Sequence, residues 1–126
     1  MDNDYIKICD IDISKYYALC SKKIKTTEVI ITNKQIQHIE EKRKGIYNKY
    51  STKLKDIICN PDYIIEDTKH IDTGLIIKKY NKNVVTVLRL NTSKDGKKNS
   101  IITIWEIKEK RLERYLLTHK IIYKKE

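Results

Sequence analysis

The sequence predicts an α+β fold: N-terminal helices packed on an antiparallel sheet of about four strands, with a C-terminal helix and a short strand after it. Three observations predict it. The apolar period changes from 3.6 to 2 at Pro61. The chain after Pro61 breaks into short β-branched runs separated by polar turns, one of them centred on Asp95-Gly96. With 126 residues, one Pro and three Gly, the chain has the length of one domain with one core and few turns.

Along the chain, Tyr5–Ile13 alternates well enough for a strand, Ser14–Lys23 suits a short helix or turn, and Glu28–Thr32 is a short strand. Thr32 and Gln35 have capping-box spacing, so a helix opens at Thr32. Ile36, Ile39, Ile46, Tyr47 and Tyr50 form its apolar stripe. A second helix over Thr52–Cys59 ends at Asn60-Pro61, because proline disfavours helix in the residue before it. Strands follow at Tyr63–Glu66, Gly74–Tyr80, Val84–Leu90 and Ser100–Ile107. Lys108–Leu117 is a basic helix with apolar Leu112, Tyr115 and Leu116, and Lys120–Tyr123 a last strand. The antiparallel meander after Pro61 leaves the helices on one face of the sheet.

The formal net charge is +10, from 27 Lys and Arg against 17 Asp and Glu. Residues 1–32 sum to zero, and residues 33–126 carry the whole excess. A basic body suits a polyanionic partner such as RNA, DNA or an acidic protein. Cys9, Cys20 and Cys59 are widely spaced and odd in number, which fits neither a disulfide framework nor a zinc knuckle. The apolar runs are far shorter than a membrane span. The acidic start, MDNDYIKICDID, lacks the cationic and apolar regions of a signal peptide, so a cytoplasmic protein without membrane contact is expected.

Chemistry-bearing residues concentrate in a few stretches. Residues 98–107, KNSIITIWEI, read as a buried strand, yet carry Asn99, Ser100 and Thr103, which face either packing or a cleft. His38 lies about 130° from the centre of the helical apolar stripe. Arg43 falls in the middle of that stripe on the same wheel. Either it reaches out to solvent, or the stripe borders a cleft where it meets an acid or a phosphate. In VVTVLRL, Val85, Val87 and Arg89 share one strand face. A two-residue turn at Asp95-Gly96 pairs Arg89 with Ile102 and sends Thr103 to the other face; an odd loop or a bulge brings Arg89 and Thr103 together. Asp67, His70 and Asp72 have ligand types at close spacing, but without Cys or a second His a polar loop accounts for them better than a metal does. Glu66, Asp67, Asp72 and Glu106 lack any spacing that gathers them around Mg²⁺. No phosphate-binding glycine loop, HExxH or GxSxG pattern occurs, and no cofactor or metal is implied.

Together, ITNKQIQHIEEKR (31–43), NPDYIIED (60–67), DTGLIIKKY (72–80), VLRLNTS (87–93), KNSIITIWEI (98–107) and KIIYKKE (120–126) resemble the phage and bacterial nuclease-like domains of the barnase–EndoU–colicin E5/D–RelE superfold. The resemblance covers residues 30–126 and leaves 1–29 as an N-terminal extension packed on the domain. It implies a strongly curved four-stranded antiparallel sheet and metal-independent endoribonuclease activity in its cleft. It further implies a toxin- or phage-associated role, with RNA and an immunity or antitoxin protein as partners. His38 matches the first His of an HI-x-E-(K/R)-H pattern; Arg43 stands where relatives often have a second His. Lys78, Arg89, Ser100 and Thr103 match the basic and hydroxyl positions.

The chemistry suits those residue types. The ribose 2′-OH attacks its own phosphodiester and leaves a 2′,3′-cyclic phosphate. An imidazole handles a proton near neutrality, and guanidinium and hydroxyl groups stabilise the growing negative charge. The expected roles are therefore His38 as acid or base, Arg43 and Arg89 as phosphate clamps, Thr103 and Ser100 as hydrogen-bond donors, and Lys78 as a supporting cation. Trp105 either stacks a base or packs in the core. The competing readings are a non-catalytic RNA-binding domain, favoured by Arg43 at the His position, and a protein-interaction module.

Overall fold

A computed structural model of the chain describes residues 4–126; of the N-terminal extension read over 1–29, residues 1–3 lie outside the described residues. The elements run β1 (Tyr5–Asp10), β2 (Glu28–Thr32), α1 (Asn33–Lys42), α2 (Ile46–Tyr50), α3 (Leu54–Cys59), β3 (Tyr63–Glu66), β4 (Thr73–Lys79), β5 (Asn83–Arg89), β6 (Asn99–Ile107), α4 (Glu109–Thr118) and β7 (Ile121–Lys124).

The expectation of a curved antiparallel sheet of about four strands is overturned. The described strands form one open seven-stranded sheet in the order β1-β2-β6-β5-β4-β3-β7. It is mixed: β2 runs parallel to β6, and the other neighbours are antiparallel. The four expected strands are its contiguous centre, β6-β5-β4-β3. A meander of that kind leaves two rows of unpaired backbone groups at its outer strands. The β1–β2 pair occupies one row and β7, returning after α4, occupies the other, which is why the sheet grows to seven.

Helices also cover both faces rather than one. On the first face Ile39, Leu54, Ile57 and Ile58 of α1 and α3 bury against Ile76, Val84, Leu88, Ile101 and Ile104. On the second, Leu112 of α4 packs on Ile65, Leu75, Ile77, Val85 and Val87. Near-continuous apolar runs such as LII and VVTVL belong to strands buried on both sides, and β4 and β5 are buried along almost their whole length. Residues before β2 join the first core: Tyr16 is buried with its hydroxyl donating to Ile58 O, and Leu19 packs directly onto Gly74, where a Cβ would meet it at 2.7 Å.

Two local features position the groove described next. First, β2 pairs with β6 only at Val29–Asn99 and Ile30–Ser100. Beyond that point β2 turns into α1, capped by Thr32 Oγ1 accepting the Gln35 N–H at 3.0 Å, and α1 lies against β6 where a strand would otherwise continue. Second, the helix expected to run to Tyr50 breaks after Lys42. Glu40 folds over the break and accepts from the Gly45 and Tyr47 N–H groups, each at 3.0 Å, while Gly45 takes φ 87°. Arg43 therefore leaves the helical wheel at φ −142° and is exposed, which resolves its anomalous place in the apolar stripe.

Candidate functional site

The β5–β6 ladder settles which face Arg89 and Thr103 share. Val87 pairs with Thr103, Leu88 with Ile101 and Arg89 with Ser100, leaving Ile102 as a bulge on β6. Opposite residues share a face, so Val85, Val87, Arg89, Ser100, Thr103 and Trp105 all belong to the second face. The bulge compensates a register that would otherwise have turned Thr103 away from Arg89.

That face carries a groove of two lobes. The smaller, about 700 Å³, lies between α1 and β6 and is lined by His38, Lys34, Arg43, Thr103 and Trp105 among others. The larger, about 1190 Å³, runs from β6 to the loop after β3 and to α4, and includes Arg43, Arg89, Thr103, Trp105, His70 and Arg114. Arg43, Ile102, Thr103 and Trp105 wall both lobes. The Arg43 guanidinium sits 5.5 Å above the Trp105 ring, a cation–π arrangement that holds a flexible cation in the shared wall. Trp105 is half-buried: it packs on the second core and presents surface to the groove. Thr103 Oγ1 is enclosed and has no hydrogen-bond partner among the described residues.

Electrostatically the larger lobe is lopsided, with seven Lys and Arg side chains against two carboxylates among the described residues. Neither carboxylate is free. Glu106 accepts from Lys49 Nζ at 2.6 Å and from the Tyr50 hydroxyl, contacts that hold its carboxyl below the usual glutamate range. Asp67 accepts from the Lys69 N–H at 2.9 Å and meets His70 Nδ1 at 3.0 Å. What remains is a field that attracts anions.

The sequence-predicted residues divide accordingly. His38, Arg43, Thr103 and Trp105 line one lobe; Arg43, Arg89, Thr103 and Trp105 line the other. Ser100 stands directly opposite Arg89 but lines neither lobe. Lys78 is turned to the opposite face, its ammonium 2.6 Å from Asn60 O and 3.8 Å from Asp56. Asn99 is fully buried and structural: it accepts from the Asn91 N–H and donates to Thr26 O, tying the 91–98 loop to the approach of β2. Sequence reasoning gave no site role to His70, His119, Arg111 and Arg114, which line the larger lobe. The signal for Arg111 and Arg114 was the basic side of α4, whose Leu112, Tyr115 and Leu116 face the sheet and leave the arginines at the rim. Among the described residues no group of three or more His, Cys, Asp or Glu side chains converges on a metal position, and no helix is long and apolar enough to cross a membrane.

One family model, described as phage-Barnase-EndoU-ColicinE5/D-RelE like nuclease2, matches residues 10–124. No curated protein and no solved structure matches the chain.

Proposed function

The chain belongs to the phage-Barnase-EndoU-ColicinE5/D-RelE like nuclease2 family, and on that premise we propose that it is a metal-independent endoribonuclease acting in the two-lobed groove. The observation that carries the reading is the common wall: Arg43 and Thr103 line both the lobe with His38 and the lobe with Arg89. A phosphodiester seated at that wall meets the Arg43 guanidinium, with Arg89 in the adjoining lobe, and borders a hydroxyl that has no partner among the described residues. Arg grips two phosphate oxygens at once, and such charge-assisted contacts gain strength as the phosphorane accumulates charge. His38 is the proton-handling group at the α1 side, the role a histidine side chain most often fills in acid–base catalysis. The cationic rim of α4 extends the field along the strand of RNA on either side of the scissile phosphate.

The experiment is incubation of the pure protein with total RNA in the presence of EDTA. Fragments ending in 2′,3′-cyclic phosphate are expected, with no cleavage of a DNA oligonucleotide, which lacks the attacking 2′-OH. Salt-sensitive RNA binding without any cleavage would instead identify an RNA-binding module, the reading that Arg43 at the His position favours.

A further inference from the structure

Internal cleavage of RNA by its own 2′-OH needs two proton-handling groups, one taking the hydroxyl proton and one protonating the leaving 5′-oxygen. A guanidinium serves as neither base nor acid, so Arg43 and Arg89 fill neither role. His38 supplies one group. Another histidine lies in the loop between β3 and β4. His70 Nδ1 lies 3.0 Å from Asp67 Oδ2, while the other carboxylate oxygen, Oδ1, accepts the Lys69 N–H at 2.9 Å. Asp67 is mostly buried, its side chain 15 % exposed, and fixed through both oxygens. The His70 side chain is 72 % exposed and lines the larger lobe with Arg89, Thr73 and Thr103. A carboxylate on Nδ1 selects the tautomer with Nδ1–H and leaves the Nε2 lone pair toward solvent and substrate.

Resting on the nuclease reading above, we propose that His70, oriented by Asp67, is a further catalytic residue and acts as the general base. Its Nε2 takes the 2′-OH proton while the 2′-oxygen bonds to phosphorus. The bond from phosphorus to the 5′-oxygen breaks, and that oxygen takes a proton from His38. The His70 imidazolium is held by Asp67 until it gives its proton to solvent water, from which His38 regains the proton it gave up. Attack and departure lie roughly in line across phosphorus, so base and acid belong on opposite sides of it. His70 and His38 line different lobes, with Arg43 and Thr103 in the wall between them. Asp67 is a positioning residue.

The test uses the full chain and a single-stranded RNA oligonucleotide carrying a fluorophore and a quencher. His70→Asn removes the base. Asp67→Asn keeps the shape and the Lys69 contact but offers an amide N–H to Nδ1, which stabilises the wrong tautomer. Both variants are expected to keep the wild-type Tm and to lower kcat on the order of 100-fold, with KM within threefold. A structural role for the pair would lower Tm or raise KM instead. Wild-type kcat in either variant overturns the inference and leaves the nuclease reading standing; an inactive wild type overturns both.

Discussion

Thr103 carries a hydroxyl enclosed in the groove wall without a partner among the described residues. Leaving such a group unsatisfied costs about 1–3 kcal/mol, a cost that makes sense where a phosphate oxygen completes the bond. Thr103→Val preserves shape and removes the cost. Its Tm is expected to hold or rise, while kcat on RNA falls on the order of 100-fold, the usual effect of losing one donor to a developing oxyanion. Thermal denaturation and the oligonucleotide assay read the two effects separately. At this scale the sequence was partly legible. His38 stands out only as the histidine inside a well-defined helix, whereas Arg43, Arg89 and Thr103 stand out because each interrupts an apolar pattern. Lys78 interrupts one too, yet its ammonium is taken by Asn60 and Asp56 on the other face. Pattern alone does not distinguish a cation facing a groove from one neutralised within the fold. Asp67 and His70 were visible as a close pair, but their joint orientation needs the turn that Lys69 N–H closes.

Among the elements, the break between α1 and α2 decides where Arg43 points. Glu40 satisfies two backbone donors there, and Gly45 supplies a left-handed residue. Glu40→Ala strands both donors and is expected to cost about 1–3 kcal/mol; Gly45→Ala is expected to cost about 1–2 kcal/mol from its backbone alone. Chemical denaturation measures both, and each variant should also lose cleavage activity beyond its loss of stability, as Arg43 leaves Trp105. A helical wheel assumes an uninterrupted helix, so it assigned Arg43 to a stripe the chain never completes. The strands were more legible: each of the seven has a β-branched run behind it. The bulge at Ile102 was one of two registers the sequence left open, and it puts Ile101 and Ile104 on one face although they stand three apart. What the runs could not specify was partnership. The parallel β2–β6 contact spans two residue pairs and joins segments about seventy positions apart, which no local period encodes.

For the molecule as a whole, the sheet and its helical layer are tied by carboxylates as well as by the core. Glu106 on β6 holds Lys49 and Tyr50 of α2, and Asp56 on α3 holds the Tyr80 hydroxyl at 2.7 Å. Hydrogen bonds from Lys49 and Tyr50 lower the Glu106 carboxyl, and those from Tyr80 and Asn60 lower Asp56. A carboxyl lowered on folding contributes stability that is fully present above its ordinary range and lost as the pH falls through the folded-state value. The Tm is therefore expected to decline as the pH falls below about 4. A Glu106→Gln, Asp56→Asn double variant should show a flatter decline, read by thermal scans across an acid pH series.

The outer strands of this sheet have one trait in common. In β1 the pairing slips between Lys7 and Cys9 and leaves Ile8 over; in β7 it slips between Ile121 and Tyr123 and leaves Ile122 over. A strand with an extra residue twists more strongly and presents a broken row of amides to its free side. Each rim also bears lysine, Lys7 on one and Lys124 on the other. Two such rims offer a poor template for another copy's backbone, so a β-rich, isoleucine-rich chain gains resistance to end-on stacking into fibrils at the cost of a few ladder bonds.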